Sequence, residues 1–241
     1  MECLINPQRR ERQPVISGTV LLCITPNEAM ALSKLAKDQG WQPRRMYPTS
    51  LWAREQEGGG ALYGPAMGAP MAVMALEQLI ALGGQRFVVY GSCGALSATM
   101  SIGDVLLPTW AVSQEGTSRH YPVANSPKVS PHFVEDLLHS LGNQGFKPMS
   151  GGVWTTDAPY RERRESIRRY QGLGVKAVDM ELSALLAVAS FRKVELAAVM
   201  VVSDLLNGEK WQPGFGSAVF KRAIHAVGRA VFNYCGSGNH E

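Results

Sequence analysis

The sequence predicts an α/β fold in which a mostly parallel sheet is covered by helices on both faces. Short apolar runs bounded by turn residues recur along the chain, as strands buried on both faces do. Stretches with helical spacing separate them, which favours crossover connections and parallel pairing. With 241 residues, 45% apolar and only 18% charged, the chain has material for a large core. No internal repeat, low-complexity tract or linker divides it, so a single domain over residues 1–241 is expected.

The elements follow in order. Residues 1–14 are polar and expected to be flexible or packed on a neighbour. Residues 20–25 (Val-Leu-Leu-Cys-Ile-Thr) read as a buried strand, and residues 27–39 as a helix ended by Gly40. Residues 41–60 read as irregular, closing on the flexible run Gly58-Gly59-Gly60. A helix over 66–82 stops at Gly83-Gly84. A strand over 86–90 runs straight into Gly91-Ser92-Cys93-Gly94, and a short strand over 104–107 is closed by Pro108. After a loop at 114–131 come a helix (132–144), an extended stretch (153–156) and a charged helix (161–170). The last third reads strand 175–178, helix 181–192, strand 195–203 and helix 217–234, with 236–241 as a flexible tail.

Composition excludes several classes. Lys plus Arg number 24 and Asp plus Glu 20, a net charge of +4 without the concentrated basic face of a nucleic-acid binder. The arginines of the 161–169 segment alternate with Glu162 and Glu165 and read as a solvated helix face. The four cysteines contain no CxxC pair, and no His/Cys/carboxylate cluster has ligand spacing, so no metal site is expected. No secretory leader is expected at the N-terminus, and the longest apolar run, 196–202, is far short of the ~20 residues that span a bilayer. A cytoplasmic protein without membrane contact is the expectation.

Ligands of open α/β sheets sit beyond the carboxyl ends of the strands, and three strand ends carry unusual chemistry. Gly91-Ser92-Cys93-Gly94 places glycines around a hydroxyl, suited either to an oxyanion or to a tight turn. At Asp179-Met180-Glu181 a helix begins. Asp179 reads as a capping residue, while Glu181 reads equally as a dipole partner or as an acceptor for a vicinal diol. Asp204 ends an apolar strand, where burial raises a carboxyl pKa and suits a proton donor; spacing alone favours a turn or cap aspartate. Tyr160 is able to stack on a flat base or to fill an interface. His120, in a polar loop, is an incidental residue or a ligand contact.

Around these residues the sequence resembles the nucleoside phosphorylase family of bacterial purine nucleoside phosphorylases and uridine phosphorylases. The resemblance spans about residues 20–232. It rests on Met67-Gly68-Ala69-Pro70, Gly91 to Gly94, Gly103-Asp104-Val105, Glu115 to Pro122, Thr155-Thr156-Asp157, Val178 to Glu181 and Val202-Ser203-Asp204, in that order. It implies a phosphorylase/hydrolase-like three-layer α/β/α subunit with a central mixed sheet. It also implies a homo-oligomer, a dimer or hexamer, whose neighbours complete each other's sites.

By the same resemblance Ser92, with Gly91, binds phosphate, Met180 and Glu181 hold the ribose, Met67 and Tyr160 lie at the nucleoside, and Asp204 protonates a purine leaving group. The partners are then a nucleoside and inorganic phosphate as co-substrate, with no organic cofactor. Two family arginines are replaced, one by Val89 and one by Glu28. Glu28 resembles the base that activates water in the family's nucleosidases, so hydrolysis of the same bond competes with phosphorolysis. A non-catalytic nucleoside-binding protein is the reading from another class, and the base, purine or uracil, stays open.

Overall fold

The computed structural model describes residues 3–54, 59–123 and 129–237. Strand β1 (Val20–Cys23) is buried along its length and runs into helix α1 (Pro26–Asp38), whose first turn carries a proline where no amide donor is needed. Then come β2 (Gln42–Met46), β3 (Thr49–Ala53), β4 (Ala61–Gly64) and α2 (Ala69–Ala81). The middle holds β5 (Arg86–Ala95), β6 (Val105–Gln114), α3 (Pro131–Asn143) and β7 (Met149–Thr156). The chain closes with α4 (Arg164–Gly172), β8 (Val175–Asp179), α5 (Leu182–Arg192), β9 (Glu195–Leu205), β10 (Gln212–Pro213) and α6 (Ala218–Gly236). Among the described residues no helix is long and apolar enough to cross a membrane.

Among the described residues ten strands join one sheet, in the order β10-β9-β6-β7-β8-β5-β1-β4-β3-β2, with β9 also paired to β5. That extra pairing closes β5, β9, β6, β7 and β8 into a ring, while β1, β4, β3 and β2 extend from it as an open wing. The sheet is mixed. Five pairings are parallel and five antiparallel, an even division where mostly parallel pairing was expected. The β2–β3–β4 meander accounts for two of the antiparallel ladders. Helices α1, α3 and α6 pack together, with α6 against β1, β5 and β9; α2 pairs with α5, which lies on β6, β7 and β9.

Several expectations need correction. Residues 42–53 are a hairpin rather than irregular chain; Gln42, Pro43, Arg44 and Arg45 are all exposed, so no apolar alternation marks the strand. Gly59 and Gly60 are buried, and a Cβ on Gly60 would stand 2.2 Å from the Cys235 carbonyl oxygen, so that part of the glycine run is core; Gly58 lies outside the described residues. Strand β6 continues through Pro108, which sits at a register shift in its ladder to β7. Residues 3–14 form no helix or strand but line a cavity beside α2. Gly236 ends α6, and residues 238–241 lie outside the described residues.

The largest correction is at β5, where Gly91, Ser92, Cys93 and Gly94 are strand, not turn. Both edges of this segment are occupied. Cys93 lies opposite Val202, and Gly94 lies opposite Asp204 on β9 and Val178 on β8, with a bulge between Cys93 and Gly94. A turn there would abandon both ladders, so pairing keeps the chain extended.

Candidate active site

The three strand ends singled out in the sequence meet at one place, the bulge of β5. A Cβ on Gly94 would come within 2.5 Å of Leu206 Cδ1, 3.1 Å of Asp204 Oδ2 and 3.2 Å of Val178 Cγ1. Only a residue without a side chain lets β8 and β9 approach this closely. The convergence is therefore a consequence of the ring: β5 is held between the strands that deliver Asp179–Glu181 and Ser203–Asp204.

Glu181 is 5% exposed. Its Oε1 accepts the Gly68 amide at 2.6 Å and its Oε2 accepts the Met180 amide at 3.2 Å. Met67, half exposed at the entry to α2, is thereby brought beside it, and Met180 is half-buried. Burial, and then the neighbouring Asp179 carboxylate, push the Glu181 pKa up. Two backbone donors leave acceptor capacity on both oxygens for further hydroxyl groups.

Asp179 performs the capping its position predicts. Its Oδ2 accepts the Glu181 and Leu182 amides at 3.1 and 2.7 Å, and its Oδ1 accepts the Thr155 hydroxyl at 2.6 Å. Thr155 Oγ1 in turn accepts the Ser183 amide at 3.0 Å. The Ser183 hydroxyl donates to Glu115 Oε1 at 2.9 Å, and Glu115 also takes the Ser113 hydroxyl and the Thr117 and Ser118 amides. Burial works against the Glu115 charge, but these donors outweigh it and hold its pKa below the ordinary value. A continuous polar chain thus ties the 115–118 loop to the start of α5, where Glu181 stands.

Asp204 is 8% exposed and engaged on both oxygens. Trp211 Nε1 donates to Oδ2 at 2.7 Å. Ser203 Oγ lies 2.7 Å from Oδ1 and 3.1 Å from the Cys93 carbonyl oxygen. Its single proton goes to the carboxylate, or to Cys93 when a protonated Asp204 donates to it, so either charge state of the acid is held in the same pose. Burial and the charge of Asp204 raise the Glu162 pKa to about 7. Burial, with Asp179 and Asp204 nearby, drives the Cys93 thiol pKa well up, leaving it inert as a nucleophile.

The remaining candidates lie as follows. Ser92 is half-buried on β5, and Gly91 packs on Ile24 at the end of β1. Glu28 accepts a hydrogen bond from Thr25 Oγ1 and lines a cavity of about 440 Å³ between α1 and α6, with Lys34, Asp38, Tyr90, His225 and Arg229. His120 lines a cavity of about 1020 Å³ formed by the N-terminal segment, α2 and α5, in which Arg192 pairs with Glu77 through bonds of 2.9 Å each. Neither cavity is lined by Ser92, Glu181 or Asp204. Tyr160 is 99% exposed. Arg86, at the opposite end of β5 from Ser92, is engaged with Asp136 and Glu195.

Sequence reasoning missed Thr155 and Glu115 as scaffold and Glu162 and Trp211 as neighbours of Asp204. Glu115 had a signal, an acidic residue followed by Gly-Thr-Ser; Trp211 had none beyond being an aromatic in a polar loop. Among the described residues no three His, Cys, Asp or Glu side chains gather to hold a metal ion.

A guanosine phosphorylase of Halorubrum lacusprofundi is 29% identical over 167 residues, covering 68% of this chain and 69% of its own. A purine nucleoside phosphorylase of Brevibacillus brevis is 27% identical over 173 residues, covering 69% and 73%. In fold, the chain is similar to the purine nucleoside phosphorylase of Toxoplasma gondii (TM-score 0.79, 17% identity, 98% of each chain). It is likewise similar to the uridine phosphorylase of Vibrio fischeri (TM-score 0.75, 19% identity, 92% of each chain). Residues 19–232 match the phosphorylase superfamily, and the chain belongs to that family.

Proposed function

We propose that the protein is a nucleoside phosphorylase, cleaving the N-glycosidic bond of a nucleoside with inorganic phosphate. The observation that carries this reading is the placement of two buried carboxyl groups at Gly94 of β5, Glu181 just beyond the end of β8 and Asp204 on β9. Glu181, with Met180 beside it, accepts hydrogen bonds from the ribose hydroxyls. As the C1′–N bond breaks, its electron pair passes into the base and the sugar gains oxocarbenium character. Asp204 gives its proton to the ring nitrogen of a purine, and a phosphate oxygen held at Ser92 forms the new C1′–O bond. The products are free base and ribose 1-phosphate, and Asp204 is left ionised. Proton transfer of this kind is typically worth ~10²–10⁴-fold; positioning of the two reactants supplies much of the rest.

Phosphate is preferred over water because Glu28, the base a hydrolytic route would use, is bonded to Thr25 and lines the α1–α6 cavity with its own set of charged neighbours. The same reading includes a single cytoplasmic domain with three α/β/α layers, no cofactor beyond phosphate, and a homo-oligomer. Val89 is buried within β5, so cations for phosphate come from Arg119 or from Arg44 and Arg45 of a neighbouring copy, and Tyr160 and His120 act across such an interface.

Incubation with inosine, guanosine, adenosine and uridine, with and without phosphate, tests the proposal. Base and ribose 1-phosphate should appear only with phosphate. Release without phosphate replaces the reading by hydrolysis, and binding without release replaces it by a nucleoside-binding role.

A further inference from the structure

The geometry points to Trp211 as a positioning residue for Asp204, its indole N–H aiming the acid and stabilising the carboxylate that forms as the proton departs. The inference rests on the reading of Asp204 as the leaving-group acid. Trp211 stands at the end of the 206–211 connection, and β10 returns directly onto β9, with Gln212 opposite Leu205 and Pro213 opposite Asp204. The Gly214 amide donates to the Ser203 carbonyl at 2.9 Å, which fixes the same return. The ring is 58% exposed, yet its one polar atom is spent on a carboxyl that is 8% exposed.

An indole N–H donates only, so it bonds Oδ2 whether Asp204 carries its proton or not. The bond is stronger to the ionised form. It therefore tightens as the proton passes from Asp204 to the base and the carboxylate charge appears, and an interaction that strengthens toward the transition state accelerates the step. Ser203 serves the other oxygen with a hydroxyl that either donates or accepts. Trp211 is thus the partner whose effect is largest at the moment of proton transfer.

The test exploits a leaving group that needs no proton. A purine nucleoside methylated at N7 carries fixed positive charge on the base and departs without an acid. Phosphorolysis is measured for whichever of inosine, guanosine and adenosine is cleaved fastest, and for its N7-methylated counterpart. Trp211→Phe keeps an aromatic ring and removes the N–H. It should lower the ratio of the two kcat values about tenfold, the loss expected for a hydrogen bond to a charged group, with KM changed much less.

The imidazole Nε2 of Trp211→His falls where indole Nε1 lies, and this variant should recover most of the ratio. In an Asp204→Asn background, Trp211→Phe should alter the ratio less than about twofold, since its effect runs through Asp204. Equal losses on both nucleosides, equal losses in the Phe and His variants, or full additivity with Asp204→Asn would overturn the inference. Cleavage of uridine but of no purine nucleoside would overturn it while leaving phosphorolysis intact. Absence of base release from every nucleoside would remove the proposed function, and the inference with it.

Discussion

Glu181 is a carboxyl taken out of water and set beside a second carboxylate, with backbone amides as its hydrogen-bond donors. Its pKa is therefore raised in the folded protein, chiefly by burial. Above the ordinary glutamate value of 4.5 the native state binds more protons than the unfolded state, so this group makes stability fall as pH rises through the window up to its folded pKa. Glu181→Gln removes that slope. Denaturation midpoints measured from about pH 5 to about pH 8 should decline less for the variant than for the parent, while turnover drops about 10²-fold or more through loss of the carboxyl group that accepts from the ribose hydroxyls. A variant with the parent's pH slope, or with near-normal turnover, would show that Glu181 is not the group in question. The position of this carboxyl was legible in the sequence, because an acidic residue at the start of an apolar helix is a short-range pattern. That Gly68 supplies one of its donors was not, since the two lie 113 positions apart.

At the level of elements, the start of α5 depends on Thr155 of β7. Its hydroxyl donates to Asp179 and accepts the Ser183 amide, and all three groups are buried. Thr155→Val keeps the shape and leaves one buried amide and one carboxylate oxygen without a partner. A loss of about 2–3 kcal/mol in urea denaturation is expected, with activity falling in parallel as Glu181 loosens.

Gly94 sits where β5 is squeezed between β8 and β9. Gly94→Ala would press a methyl group on Leu206 and Asp204, so kcat should fall at least about tenfold while the melting temperature falls only a few degrees, a misplacement effect. Strands β1, β8 and β9 and helices α5 and α6 were readable because each is an apolar run of the right length. The β2–β3 hairpin was not, since its outer strand is polar and half of what holds it is backbone. The strand character of Gly91 to Gly94 was hidden for a related reason: glycine signals a turn locally, and only the two ladders on either side overrule it.

For the whole molecule, ring closure of five strands places the site at a seam where β5 meets β8 and β9 at once. A cavity of about 610 Å³ lined by Glu162, Leu206 and Trp211 opens beside Asp204, while those at α2 and between α1 and α6 are bounded by other residues. The oligomer included in the proposed function would supply the missing walls and the cations that Val89 and Glu28 do not. Light scattering should then give a mass at least double the 26.2 kDa of one chain, and Arg44→Ala or Arg45→Ala should raise the KM for phosphate more than that for nucleoside. A monomer with full activity would sink the shared-site reading.

One property of the sheet reaches beyond catalysis. The strands at the two ends of the sheet order, β2 and β10, carry Pro43 and Pro213; β2 adds Arg44 and Arg45, and β10 is only two residues long. Exposed margins invite other chains to add strand upon strand, and proline, charge and brevity are the usual deterrents. Both borders are thus guarded against fibrillar stacking, which leaves side chains and shape, rather than a shared backbone ladder, for any contact between copies.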